Sequence, residues 1–125
     1  MFETLRIILF GTQPFAKVDS KTLERIIHRE FGNRSSEVKQ KLLQITSDTP
    51  NSKNRISAAI IKLADKNINA IDNFVEVSNN DCRDVLAKAE YPRCFNLGFG
   101  EMEKSKMKQI FLADWKDYLK WLNKK

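Results

Sequence analysis

Cysteine, histidine, glycine and proline are all scarce in this chain of 125 residues, which contains two Cys, one His, four Gly and three Pro. A structural zinc site uses four ligands, usually cysteine and histidine, so three such side chains do not supply one. The low content of glycine and proline disfavours turn-rich β-sandwiches and β-barrels. We therefore expect a single all-α domain over residues 1–125, built from five to seven short helices, with no metal or other cofactor.

Long apolar runs are also lacking. Near the N-terminus the longest run, Ile7 to Phe10, is far shorter than the core of a signal peptide or the roughly 20 residues that span a bilayer. We therefore expect a cytoplasmic protein with no membrane partner, in which Cys82 and Cys94 are reduced. The stretch from Thr4 to Phe10 is too short for its periodicity to distinguish helix from strand, and we favour helix because no convincing partner strand follows.

Basic residues outnumber acidic ones, with 22 Lys and Arg against 16 Asp and Glu, which gives a net charge of +6. The excess lies in two blocks, residues 31–60 and 91–125, on either side of an acidic block at 61–90. Positive charge favours acidic partners such as nucleic acid or an anionic surface. The same alternation also suits intramolecular packing, contact between two copies of the chain, or a solvated face.

Capping residues and apolar spacing predict three helices in the first half of the chain. Asp19 begins one that ends at Gly32, and Ser35 or Ser36 begins a second that ends near Thr46. Thr49 followed by Pro50 begins the third, because proline suits the first helical position. Its apolar residues follow helical spacing without a gap: Ile56, Ala59, Ile60, Leu63 and Ala64.

The second half predicts three more helices. They run from Ile68 to about Ser78, from Asn80 or Asp81 to the residue before Pro92, and from about Glu103 to Leu122. Residues 93–101 break the helical pattern and are predicted as a loop. The last helix is long and widely apolar, with an arc of about 180° that should be central in the fold or covered by a second copy.

The segments on either side of Ser47–Thr49 have the spacing of a helix-turn-helix motif. In such motifs the first turns of the second helix contact base edges and phosphates. The polar residues at those positions are Asn51, Lys53, Asn54 and Arg55. The alternative is an ordinary solvated helix start, since polar residues also cap helices.

The predicted loop carries several large side chains that must be buried somewhere. One interpretation is a surface that docks a partner chain or a small apolar ligand; the other is a loop that folds over the core and seals it. The candidate docking residues are Tyr91, Arg93, Phe95, Leu97 and Phe99.

Asp114 falls inside the apolar arc of the last helix. An unpaired buried carboxylate is costly, so Asp114 is either at the rim in water or buried with a partner. We expect a buried ion pair with an arginine, Arg93 or Arg83, or with backbone N–H groups of residues 91–100.

The sequence contains few residues in arrangements typical of catalytic sites. His28, the only imidazole, lies one turn from Glu24, which predicts a pair on the helix surface. Acidic neighbours of Cys82 oppose an activated thiol. Without a preceding strand, Gly98 and Gly100 do not make a phosphate loop. We therefore expect a non-enzymatic interaction module that binds a protein partner or forms a homodimer; the alternative is a DNA-binding helix-turn-helix protein, and an enzyme is the third choice.

Overall fold

The computed structural model describes residues 17–47, 49–97 and 104–125, and these residues form helices without any strand. The elements are α1 (Ser20–Phe31), a 3-10 turn (Gly32–Arg34), α2 (Ser35–Leu42), α3 (Pro50–Ala64), α4 (Ile68–Glu90), α5 (Pro92–Leu97) and α6 (Lys104–Asn123). The all-α class is confirmed. Residues 4–10, for which we favoured helix over strand, lie outside the described residues, and so does Phe99.

The caps of α1 and α3 are those that the sequence predicts. The carboxylate of Asp19 accepts a hydrogen bond from the backbone N–H of Thr22 at 2.7 Å, and the hydroxyl of Thr49 accepts one from the N–H of Ser52 at 3.2 Å. Gly32 follows α1 with a φ of 53°, in the left-handed region that favours glycine. Side-chain capping therefore determines where both helices begin.

The limits of α2 differ from the prediction. Ser35 is the first helical residue rather than the cap, and its hydroxyl donates to the carbonyl oxygen of Gly32 at 2.5 Å. The helix ends at Leu42, and the backbone then turns at Leu43 and Gln44. The predicted helix up to Thr46 is thus too long by one turn, which leaves Leu43 outside the helix.

The helix at the centre of the core is α3. Its residues 56–61 are all buried, and α3 packs most closely on α4 and also on α1. The expectation of a central, widely apolar last helix is wrong, because only one face of α6 is buried. Ile110, Leu112 and Leu119 are only partly buried, so the buried arc is narrower than the apolar residues suggest.

The segment α4 is interrupted at Asp81 and consists of two helical halves that meet at a kink. Asp81 has non-helical torsion angles, φ −156° and ψ 99°, and its carboxylate accepts from the N–H of Arg83 at 3.1 Å. Asp81 therefore caps the second half of α4, as the sequence predicts. The predicted loop is wrong for residues 93–97, because Pro92 begins α5 instead of only ending α4.

Two arginines of α1 hold the end of α6. Arg25 donates to the carbonyl oxygen of Leu122 at 2.6 Å, and Arg29 donates to that of Lys124 at 2.5 Å. The guanidinium of Arg29 also lies 4.9 Å from the centre of the Trp121 ring. Carbonyl groups at the end of a helix lack partners within the helix, so α1 supplies donors to α6.

Candidate interaction surfaces

Arg55, proposed to contact DNA, is bound to a carboxylate of the protein itself. Its guanidinium makes two hydrogen bonds to Glu90, at 2.7 and 2.8 Å, and the Glu90 side chain is only 1% exposed. Lys53 and Asn54 are half-buried, and the side chain of Asn51 lies outside the description. Arg55 therefore joins α3 to the end of α4 through an ion pair with Glu90.

The other basic residues near α2 are also paired. Arg34 binds Glu37 at 3.1 Å, Lys41 binds Asp72 at 2.6 Å, and Lys39 binds Glu24. The positive block at residues 31–60 is thus largely neutralised by carboxylates, some of them distant in sequence. Charge summed along the sequence overstates the charge that this surface offers to a polyanion.

His28 lies on the surface of α1 with Glu24, as predicted. Its Nε2 is 3.0 Å from the Glu24 carboxylate and its Nδ1 is 3.1 Å from the Ser35 hydroxyl. This serine, histidine and glutamate array is not a hydrolase triad, because the buried Ser35 hydroxyl donates to the carbonyl of Gly32. A nucleophilic serine must instead face a substrate and give its proton to the imidazole.

The candidate docking residues at 91–99 are divided between the core and the surface. Tyr91 is buried, with its ring edge-on to Phe111 at 5.1 Å and stacked on Trp115 at 6.4 Å. Tyr91 is thus packed in the core. Phe95 is half-buried beneath the ammonium of Lys88, and Leu97 is 53% exposed.

Asp114 is fully buried and lies where α6 meets the start of α5. Its carboxylate accepts from the N–H of Cys94 at 3.1 Å and from the guanidinium of Arg93 at 3.0 Å. Arg93 also binds the exposed Asp117 at 2.6 Å, whereas Arg83 binds Asp81. Asp114 thus caps α5 from another helix, and the Arg93 guanidinium balances its negative charge.

The surroundings of Asp114 keep other titratable groups neutral or shift them. Burial, followed by the contact with Asp114, raises the pKa of the Cys94 thiol to about 12. Burial lowers the pKa of Lys62, whose ammonium donates to the carbonyl oxygen of Ala89 at 2.6 Å. Lys62 joins α3 to the end of α4, and the hydrogen bond from Cys94 to Asp114 joins the start of α5 to α6. All of these contacts lie within the protein.

A surface of unpaired lysines lies on α6. Six lysines between residues 106 and 125 are exposed, and no ion pair to them occurs in the described part of the chain: Lys106, Lys108, Lys116, Lys120, Lys124 and Lys125. The carboxylates of α6, Asp114 and Asp117, are both occupied by Arg93. We call the six residues the lysine face.

Three members of the lysine face form a stripe. At 100° per residue, Lys106, Lys116 and Lys120 fall within about 80° of one another and extend over about 21 Å of the helix. Partly exposed apolar residues flank them: Ile110, Leu112, Leu119 and Trp121. This surface is not among the predicted sites, because the prediction for the last helix rested on its apolar arc and not on the opposite side.

Comparison with family models, with curated proteins and with solved structures gave no significant match. None of the described helices is both long enough and apolar enough to cross a membrane. Within residues 17–47, 49–97 and 104–125, no group of three His, Cys, Asp or Glu side chains is placed to hold a metal ion.

Proposed function

We propose that this protein is a non-enzymatic interaction module that binds an acidic protein partner through the lysine face of α6. The observation that carries the proposal is the contrast between two basic blocks. Around α2 and α3 most cations are paired with carboxylates of the chain, whereas on α6 the exposed lysines are not. Unpaired charge of one sign attracts partners of the other sign and raises their association rate.

Two features favour a protein over a nucleic acid as the partner. Residues 104–125 contain no arginine, whereas bidentate recognition of phosphates and bases favours arginine. Partly exposed Ile110, Leu112 and Leu119 border the lysines, and apolar borders suit a protein interface better than a duplex backbone. The DNA-binding alternative is supported less well, since Arg55 is engaged by Glu90.

Charge reversal on the lysine face tests the proposal. The variant with Lys116→Glu and Lys120→Glu should bind fluorescent poly-L-glutamate at least about tenfold more weakly than the unmodified protein at low salt. The matched control carries Lys21→Glu and Lys66→Glu, which produce the same change of net charge elsewhere on the surface. Anisotropy titrations at about 50 and 200 mM salt should show that the difference shrinks as salt screens it.

Two results would contradict the proposal. One is equal weakening by the control variant, which would show that net charge rather than this surface matters. The other is tighter binding of a mixed-sequence DNA duplex than of poly-L-glutamate, with loss of duplex binding in Lys53→Ala, which would favour the α2–α3 motif instead.

A further inference from the structure

A groove of about 350 Å³ lies between α1, the end of α2 and the first turns of α3. Its apolar lining includes Leu23, Ile27, Leu42 and Leu43. Leu43 is 60% exposed, the most exposed large apolar side chain in the described part of the chain. Its position follows from the early end of α2, which leaves Leu43 in the turn after the helix. Exposed apolar side chains beside a concave surface are typical of binding sites.

The rim of the groove carries one uncompensated positive charge. Glu24 and Lys39 stand on the rim and neutralise each other, and the contact with Lys39 lowers the pKa of Glu24. Lys53 also lines the groove and makes no ion pair within the described residues. An occupant that buries apolar side chains against Leu43 therefore gains most if it places a carboxylate near Lys53.

We propose that this groove binds an amphipathic helix of a partner protein whose apolar side chains are flanked by carboxylates. Helices α1, α2 and α3 form the walls, so a helix of the partner can lay its apolar face between them, as in other helix-in-groove complexes. A duplex is a poor occupant, because phosphate recognition uses several cations and the groove offers one. The groove and the lysine face use different residues, so this inference stands or falls independently of the proposed function.

The probe is a synthetic amphipathic peptide of about four turns, with leucine on one face and glutamate on the other. A matched peptide has glutamine in place of every glutamate. Methyl NMR spectra of the folded protein should show saturable shifts at Leu23, Leu42 and Leu43 with the acidic peptide. The glutamine peptide should bind about fivefold or more weakly, because it loses the attraction of Lys53.

Variants locate the site. Leu43→Lys should abolish the shifts, and Lys53→Glu should weaken binding about fivefold or more, while Lys53→Arg should retain it. Leu97→Lys changes the other large exposed leucine among the described residues, on α5, and should bind as the unmodified protein does. Circular dichroism of each variant establishes that the fold is intact, as expected for changes at the exposed Leu43 and Leu97 and at the half-buried Lys53.

Other occupants give distinguishable results that would overturn the proposal. Leu43 shifts that appear with protein concentration alone would show a second copy in the groove. Shifts with dodecanoate but not with either peptide would show a small apolar acid. Absence of peptide-induced shifts at about 1 mM, or equal loss in Leu97→Lys, would show that the groove is not a helix-binding site.

Discussion

The carboxylate of Asp114 accepts a hydrogen bond from the backbone N–H of Cys94 at 3.1 Å, so a residue of α6 caps the first turn of α5. A helix of six residues is marginal by itself. The cap from α6, together with Pro92 at its first position, explains why α5 forms in a segment whose sequence looks like a loop.

Removal of this cap should destabilise the fold. Asp114→Ala leaves the N–H groups of α5 and the Arg93 guanidinium without their buried acceptor, and we expect a loss of about 2–4 kcal/mol. The control is Asp117→Ala, which removes the exposed partner of the same arginine and should cost under about 0.5 kcal/mol. Urea unfolding measures both, and similar losses in the two variants would contradict the role given to Asp114.

The pair formed by Arg55 and Glu90 should be strongly coupled. Glu90→Gln leaves the Arg55 charge partly buried without its counter-ion, and we expect a loss of about 3–5 kcal/mol. Glu76→Gln, at an exposed position of the same helix, should change stability by under about 0.5 kcal/mol. A double-mutant cycle with Arg55→Met measures the coupling, and additive losses would show that the two side chains do not act together.

The hydroxyl of Tyr118 is buried and has no hydrogen-bond partner among the described residues. Its desolvation opposes folding, so Tyr118→Phe should be neutral or should stabilise the protein by about 1 kcal/mol. Tyr118→Leu, which removes ring contacts instead, should destabilise by at least about 1 kcal/mol. Melting temperatures give both comparisons, and clear destabilisation by Tyr118→Phe would reveal a partner for this hydroxyl.

The two thiols should differ in reactivity. Cys94 is fully buried with its pKa raised to about 12, whereas Cys82 is half-buried, and neither is in a disulfide. A thiol reagent should therefore modify Cys82 quickly in the folded protein and both cysteines in denaturant, since the thiolate is the reactive form. Mass spectrometry identifies the labelled site, and rapid labelling of Cys94 under native conditions would contradict its burial.

The raised pKa of Cys94 predicts a lower free energy of unfolding at alkaline pH. The folded pKa of Cys94 lies above its ordinary value of 9.0, so the stability from a neutral thiol is complete below pH 9 and is lost as the pH rises through 12. Burial also raises the pKa values of Tyr91 and Tyr118, so both tyrosines contribute to the same loss of stability at high pH. Urea midpoints should fall between about pH 9 and pH 11, and constant midpoints would contradict these shifts.

Local signals in the sequence were sufficient for several elements. Asp19 and Thr49 are capping residues close to the helices they begin, and the apolar spacing from Ile56 to Ala64 is uninterrupted, so α1 and α3 could be predicted. The position of Asp114 on the helix wheel left two environments, the rim in water or burial with a partner, and the structure has the second, with Arg93 as the partner.

Features that depend on packing could not be predicted in this way. Arg55 and Glu90 are 35 positions apart and meet only because α3 and α4 pack together. Pro92 is compatible with the end of one helix and with the start of the next. The cap that Asp114 of α6 provides favours a helix that starts at Pro92. The exposure of Leu43 depends on where α2 stops, which the sequence placed one turn too late.

The hydrogen bond from Arg25 to Leu122 joins residues 97 positions apart, whereas the most extensive helix contact, between α3 and α4, joins neighbours in sequence. Closing a segment of that length costs roughly 4 kcal/mol in chain entropy before the contact contributes anything. The α3–α4 pair can form early because its contacts are local, and the docking of α6 onto α1 must come late. The kinetics of this small helical protein should therefore be governed by one long-range closure rather than by helix formation.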